Sequence, residues 1–305
     1  MPAGGAPDHW DFTLLPFGGI ITRLLDAVAP ATIVEVGSDR GDFTRQLLDW
    51  AGPRDARVIA IDPEPAGELF ELARARPELD LVRRPSPEAL GEVPPAEAII
   101  LDGDHNYYTV TEELRLIEER SGGSGVPLLL LHDVGWPHAR RDTYYSPERI
   151  PEDHRQPLAH DVMVAPGEPG TVSTGVGFRW AAEREGGPRN GVLTAVEDFL
   201  DRRAGIRLAV VPAFFGLAVL WPERAPWDAA VTDVMEPWGS SPLLERLEEI
   251  RLAQIVERQR LDREEETLRA MLNSRAFGIA ERIARIRAGG SPSLSRERVR
   301  RALED

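Results

Sequence analysis

The chain of 305 residues contains no cysteine. That excludes disulfides, thiolate metal sites and a cysteine nucleophile. It contains no lysine either, so all 36 basic side chains are arginine. Without lysine there is no Schiff-base chemistry and no Walker-type nucleotide loop. Positive charge is in deficit: 51 acidic residues leave a formal net charge of -15. Affinity for nucleic acid comes mainly from neutralised phosphates, so no nucleic-acid partner is expected. Long hydrophobic runs are missing as well. The longest, Ala209–Trp221, is too short to span a bilayer and is interrupted by Pro212. Met1–Trp10 lacks the basic stretch and apolar core of a secretory leader. No transmembrane segment and a cytoplasmic location are expected.

What is present alternates. Ile20, Ile21, Leu24, Leu25 and Val28 recur at helical spacing and predict a helix over 17–28, stopped by Pro30. Strands are predicted at 31–36, 57–61, 79–82, 98–101 and 126–131. Helices separate them at 42–50, at 67–76 and around Val110, Leu114 and Ile117. Such an order implies right-handed βαβ units and a parallel sheet. Helix returns over 192–200, capped at Asn190 or Gly191, and Leu208–Val211 with Leu217–Leu220 predict a terminal hairpin.

The remaining segments are less regular. Residues 134–189 are rich in Pro, Gly, Arg, Tyr and His, and read as an unpatterned substrate-side or lid insertion. Residues 222–242 are proline-rich and read as a linker, and 243–305 as a charged helical tail. In the tail Leu247, Ile250, Leu261, Leu268 and Met271 fit heptad core positions, but Gln254, Glu257 and Glu264 fall on the same seam. Two readings fit: an imperfect coiled coil serving a second copy or a partner protein, or a helix lying on its own body.

The first strand runs into Glu35-Val36-Gly37-Ser38-Asp39-Arg40-Gly41. A dinucleotide loop needs G-x-G-x-x-G. Counted from Gly37, those positions hold Asp39 and Asp42, which would repel a pyrophosphate. The E-x-G-x-x-x-G spacing instead resembles the first motif of class I S-adenosylmethionine (SAM) methyltransferases. SAM has no phosphate and carries a positive sulfonium and ammonium, so an acidic loop suits it. The resemblance implies a doubly wound, mostly parallel, seven-stranded α/β sheet over residues 1–221, followed by the helical extension. It places Glu35 near the aminoacyl end of SAM, with Gly37, Ser38 and Gly41 in the loop beneath it. Asp62, closing the second strand, would take both ribose hydroxyls. Ser86, after the third strand, would meet the adenine edge.

The fourth strand ends Leu101-Asp102-Gly103-Asp104-His105 and the fifth Leu131-His132-Asp133. In an open parallel sheet both ends lie beside Gly37, at the switch point. Three carboxylates and two imidazoles together are costly unless a cation or proton chemistry compensates. The pair of motifs resembles the macrocin-type sugar O-methyltransferases and the related cephalosporin-hydroxylase-like family, typically magnesium-dependent. That resemblance implies Asp102 and Asp133 as metal carboxylates, Asp102 also bordering SAM, and His105 as general base. It implies SAM and Mg2+ as cofactors and a sugar hydroxyl of a glycan or glycosylated natural product as acceptor. His132 departs from the family's usual carboxylate. It either ligates the ion, favouring Mn2+ or another softer metal, or hydrogen-bonds a group that does. On the substrate side stand Tyr107 and Tyr108, then Arg140, Arg141, Tyr144 and Tyr145. Aromatics beside arginines suit a sugar ring with an acidic attachment. Two other functions stay open on sequence: a repurposed, hydroxylase-like member that binds SAM or metal without methylating, and a non-catalytic glycan-assembly subunit.

Overall fold

A computed structural model describes residues 13–122, 126–239 and 241–288. The β-branched and aliphatic runs form the expected strands: β1 (Thr32–Val36), β2 (Arg57–Ile61), β3 (Leu79–Val82), β4 (Ala98–Leu101) and β5 (Leu128–His132). Every residue of β4 and β5 is buried, as central parallel strands require when both faces are covered. Helices α1 (Gly18–Val28), α2 (Asp42–Ala51), α3 (Gly67–Ala75), α4 (Ser86–Ala89), α5 (Tyr107–Arg120) and α6 (Val192–Asp201) flank them. A hairpin of β8 (Ile206–Val211) and β9 (Leu217–Pro222) completes a seven-stranded sheet of order β3-β2-β1-β4-β5-β9-β8. Only β9 runs against the others.

The sheet is wound on both sides. Leu24, Leu47 and Leu69 of α1, α2 and α3 pack on one face. Val110, Leu114, Val196 and Phe199 of α5 and α6 pack on the other. Strand order reverses between β1 and β4, which opens a crevice at the carboxyl ends. The register pairs Val36 with both Ile61 and Leu101, and Leu101 with Leu131. Gly37, Asp62, Asp102 and His132, each the next residue along, therefore share one edge.

Two segments differ from their sequence reading. Within 134–189 lies an antiparallel pair, β6 (Leu158–Val164) and β7 (Val176–Ala182). Its apolar pattern is weak because β6 exposes His160 and Asp161 and buries mainly Val164. Residues 222–242 are not an open linker. They contain α7 (Asp228–Met235), which packs on α1 and buries Val231, Val234 and Met235. Its prolines fall outside the helix and punctuate it, while Trp221 Nε1 and Arg207 Nε donate to Asp228 at 2.7 and 2.9 Å.

The tail forms α8 (Pro242–Asn273) and α9 (Arg275–Ala288). α8 lies on the body through Leu252 and Ile255, against Val164, Val176 and Phe215. The heptad positions Leu247, Ile250, Leu261, Leu268 and Met271 are exposed. Residues 289–305 of the tail fall outside the described residues.

Because α7 is packed rather than linking, Met235→Ala should cost about 2–5 kcal/mol of unfolding free energy. Urea denaturation measures it. A loss below about 0.5 kcal/mol would mark the segment as surface.

Candidate active site

The glycine loop is shaped by a close crossing of backbones. Gly37 has φ +85°, and a Cβ there would stand 2.0 Å from the carbonyl oxygen of Asp102. Only glycine lets the end of β1 lie against the end of β4 in this way. Gly41, also at positive φ, starts α2. Beneath the loop Glu35 is buried and accepts hydrogen bonds from Ser38 Oγ at 3.0 Å and Thr44 Oγ1 at 2.6 Å. Burial outweighs these hydroxyls and pushes its carboxyl up to about 7. At the end of β2, Asp62 accepts from the amides of Asp39 and Glu64, both at 2.8 Å. The carboxylate is thus fixed, with lone pairs left for a vicinal diol. The Ser86 hydroxyl turns inward and donates to the buried Glu113, so it does not stand at the ligand edge as expected.

The strand-end cluster converges. Asp102 Oδ1 lies 2.9 Å from His132 Nδ1 and 3.7 Å from His105 Nε2. Asp133 Oδ2 lies 2.8 Å from His105 Nε2 and 3.6 Å from His132 Nδ1. The 2.8 Å contact is close but poorly aligned for a hydrogen bond. Asp133 holds φ 60°, a left-handed conformation that aspartate tolerates at a cost. The His138 ring lies against His105, centroids 4.5 Å apart, with its Nδ1 2.9 Å from Thr143 Oγ1. Asp104 does not join them. It bonds Asn106 Nδ2 at 2.6 Å, next to the cap where Asn106 Oδ1 accepts from Thr109 N.

The electrostatics follow from burial beside opposite charge. Burial alone would pull His105 and His132 down. Asp133 and Asp102 overcome it, holding His105 well above its ordinary value and lifting His132 to about 9. Burial would raise Asp133, but His132 and His105 hold it far below the carboxylate range. His138 is pulled down to about 3 by burial and stays neutral. Two imidazolium rings thus balance two carboxylates.

The same groups can hold a cation. Asp102, His132 and Asp133 offer three donor atoms within 4.8 Å of one another, and so do His105, Asp133 and His138. His132 Nε2 lies 3.0 Å from the Phe214 carbonyl, which only accepts, so Nε2 carries a proton and Nδ1 is the nitrogen free to ligate. Donor type and spacing fit a divalent ion, and the imidazole favours Mn2+ or Zn2+ over Mg2+. Sequence reasoning did not single out His138 or Glu113 as site residues. Neither sits at a diagnostic spacing, and only the folded chain brings them to the cluster.

Four of the six substrate candidates face elsewhere. Tyr107 is buried and its hydroxyl donates to Asp198 at 2.7 Å. Arg140 clamps Glu197 of α6, with Nη2 2.6 Å from Oε1. Arg141 is fully buried and donates to the carbonyls of Ala182 and Pro169. The Tyr144 hydroxyl donates to the buried Asp142 at 2.9 Å. These residues tie the insertion to the body. Tyr145 is 72% exposed with its ring 5.9 Å from His105, and half-buried Tyr108 lies against His154.

The shifts set a pH dependence. Glu35 at about 7 and Glu113 at about 8 keep protons that the unfolded chain releases near 4.5. His132 keeps its proton to about 9 against 6.5 unfolded. All three contribute stability that is full at low pH and lost as pH rises through the folded values. The thermal midpoint should therefore fall from pH 6 to 9. Glu113→Gln keeps the acceptor for Ser86 and should flatten the slope between pH 5 and 8. Thermal melts across pH test this, and an unchanged slope would show that Glu113 is ionised.

Residues 34–134 match the family model of a methyltransferase domain. No curated protein matches the sequence. Among solved structures, an SAH-bound methyltransferase of Podospora anserina is 15% identical at TM-score 0.44, covering 72% of this chain and 89% of its own. The O-methyltransferase TomG of Streptomyces achromogenes, solved with SAM, is 14% identical at 0.37, covering 68% and 79%. The riboflavin-analogue dimethyltransferase RosA of Streptomyces davawensis is 16% identical at 0.37, covering 68% and 53%. The stretch carrying the glycine loop, Asp62 and both strand-end acids is thus the part of the chain that is similar to a methyltransferase domain.

Proposed function

We propose that the protein is an O-methyltransferase that moves the methyl group of SAM to a sugar hydroxyl of a glycan or glycosylated natural product. The observation that carries this reading is His105. It stands between Asp133 and His138 at the edge where the Gly37 turn meets Asp102.

On this reading Gly37 and Ser38 receive the methionine part of SAM over Glu35, and Asp62 takes the ribose. The acceptor enters beside Tyr145 and Tyr108. Asp133 faces His105 Nε2–H, so Nδ1 is the nitrogen that takes the hydroxyl proton. The C–O bond forms as the S–CH3 bond breaks, S-adenosylhomocysteine leaves, and alignment supplies much of the acceleration. Asp102, His132 Nδ1 and Asp133 are the residues that would hold a divalent cation. When bound, such an ion supplies Lewis-acid lowering of the hydroxyl pKa.

A second reading has one observation in its favour. His105, Asp133 and His138 form a two-histidine, one-carboxylate group, a set that suits iron in a hydroxylase-like enzyme.

Calorimetric titration with SAM tests the cofactor assignment. Asp62→Asn should weaken binding about tenfold, because one neutral acceptor replaces the two charged oxygens that face the diol. No binding at millimolar SAM would sink the reading. Transfer of labelled methyl to a glycoside panel, with and without EDTA, tests the acceptor and the metal. His105→Ala should lower turnover about 10^2–10^4-fold and leave SAM affinity unchanged. Because Asp133 and Asp102 raise His105, wild-type kcat/KM should climb with pH above neutrality, and His105→Ala should lose that climb. Unchanged turnover in His105→Ala would remove the base assignment.

A further inference from the structure

The turn between β8 and β9 places two consecutive phenylalanines, Phe214 at φ 48° and Phe215 at φ 67°, in the left-handed region. Side chains disfavour that conformation, so something outside the turn must hold it. The holder is Glu248 on α8. Its Oε2 accepts from Phe214 N and its Oε1 from Phe215 N, both at 2.9 Å. Glu248 is itself gripped by Arg251, whose Nε and Nη2 lie 2.7 and 2.8 Å from the two oxygens. The Arg251 guanidinium also covers both rings, 5.1 Å from the Phe214 centroid and 4.3 Å from that of Phe215.

The clasp faces the catalytic edge on its other side. The Phe214 carbonyl accepts from His132 Nε2 at 3.0 Å, and His132 Nδ1 points at Asp102. The Phe215 carbonyl accepts from Gly135 N, two residues beyond Asp133. Phe17 packs edge-on against both His132 and Phe214, at 5.7 and 6.1 Å. One turn thus touches both sides of the Asp102–His132–Asp133 edge, and its geometry is set from the C-terminal helix.

We infer that Glu248 is a positioning residue: the tail helix, through the Phe214–Phe215 turn, fixes the His132 ring so that Nδ1 is presented to Asp102. The tail is then part of the active-site structure rather than an appendage. The carboxylate suits this task because it meets two parallel amides with two oxygens, which a neutral side chain cannot do. The methyl-transfer consequence rests on the function proposed above, whereas the effect on the histidine does not.

The test uses the full chain and the Nε2–H signal of His132 in 1H–15N NMR, assigned by its loss in His132→Gln. The wild type should show a slowly exchanging proton. Glu248→Ala should speed its exchange about tenfold or more, the equivalent of losing one charge-assisted hydrogen bond. SAM affinity should stay within about twofold, since Gly37 and Asp62 are untouched. Glu248→Gln keeps one acceptor and should fall between, and it decides the matter if the alanine variant does not fold. Leu79→Ala, on the edge strand farthest from the β8–β9 turn, lowers stability without touching α8 or the clasp and should leave the proton protected. Unchanged exchange in folded Glu248→Ala, or equal exchange in Leu79→Ala at matched stability, overturns the inference. Failure of the wild type to bind SAM would sink the proposed function and leave this result standing.

Discussion

The site is organised around two carboxylates, half-buried Asp102 and buried Asp133, at the ends of neighbouring parallel strands. Such charges are tolerated inside a protein only when paired. Here His132 and His105 supply the pairing, each drawn up in pKa by the acids it faces. Much else serves to hold those pairs in register. Gly37 lacks a side chain so that β1 can press on Asp102. Asp133 accepts a left-handed backbone, and the β8–β9 turn is bent to offer a carbonyl to His132.

With both imidazoles protonated the cluster is nearly neutral, which removes charge that the edge could not bear alone. On the proposed reading a divalent ion would meet the same carboxylates. His138 sets the boundary of the cluster. Burial keeps it neutral, so His105 rests on an uncharged ring rather than a repelling one.

The insertion and the tail follow the same logic at longer range. Arg141 and Asp142, both fully buried, anchor the insertion. Arg141 reaches the carbonyls of Ala182 and Pro169, while Asp142 accepts from Tyr107 N, Gly191 N and the Tyr144 hydroxyl. Residues with the look of a sugar-binding loop are therefore scaffold, and their polarity satisfies backbone inside the fold. What faces outward near His105 is Tyr145.

Most of the sheet was legible in sequence. Strands β2, β3 and β4 coincide with their predicted spans; β4 and all of β2 after Arg57 are apolar because both faces are covered, whereas the edge strand β3 exposes Asp80. The strand-end motifs were legible for a related reason. A parallel sheet aligns its carboxyl ends, so Gly37, Asp62, Asp102 and His132 had to meet. Local pattern failed where partners are distant. The prolines of 222–242 suggested a linker although Val231, Val234 and Met235 already showed helical spacing. The arginines and tyrosines of the insertion carry no sign of which way they face. The sequence by itself determined the alternation of elements and the chemistry at the strand ends, since both are written in local spacing. Tertiary structure alone decided that His138 joins the cluster, that Arg140 and Arg141 leave the substrate side, and that Glu248 reaches the edge from the tail. Contacts between residues tens of positions apart depend on how elements pack, and no local period records that.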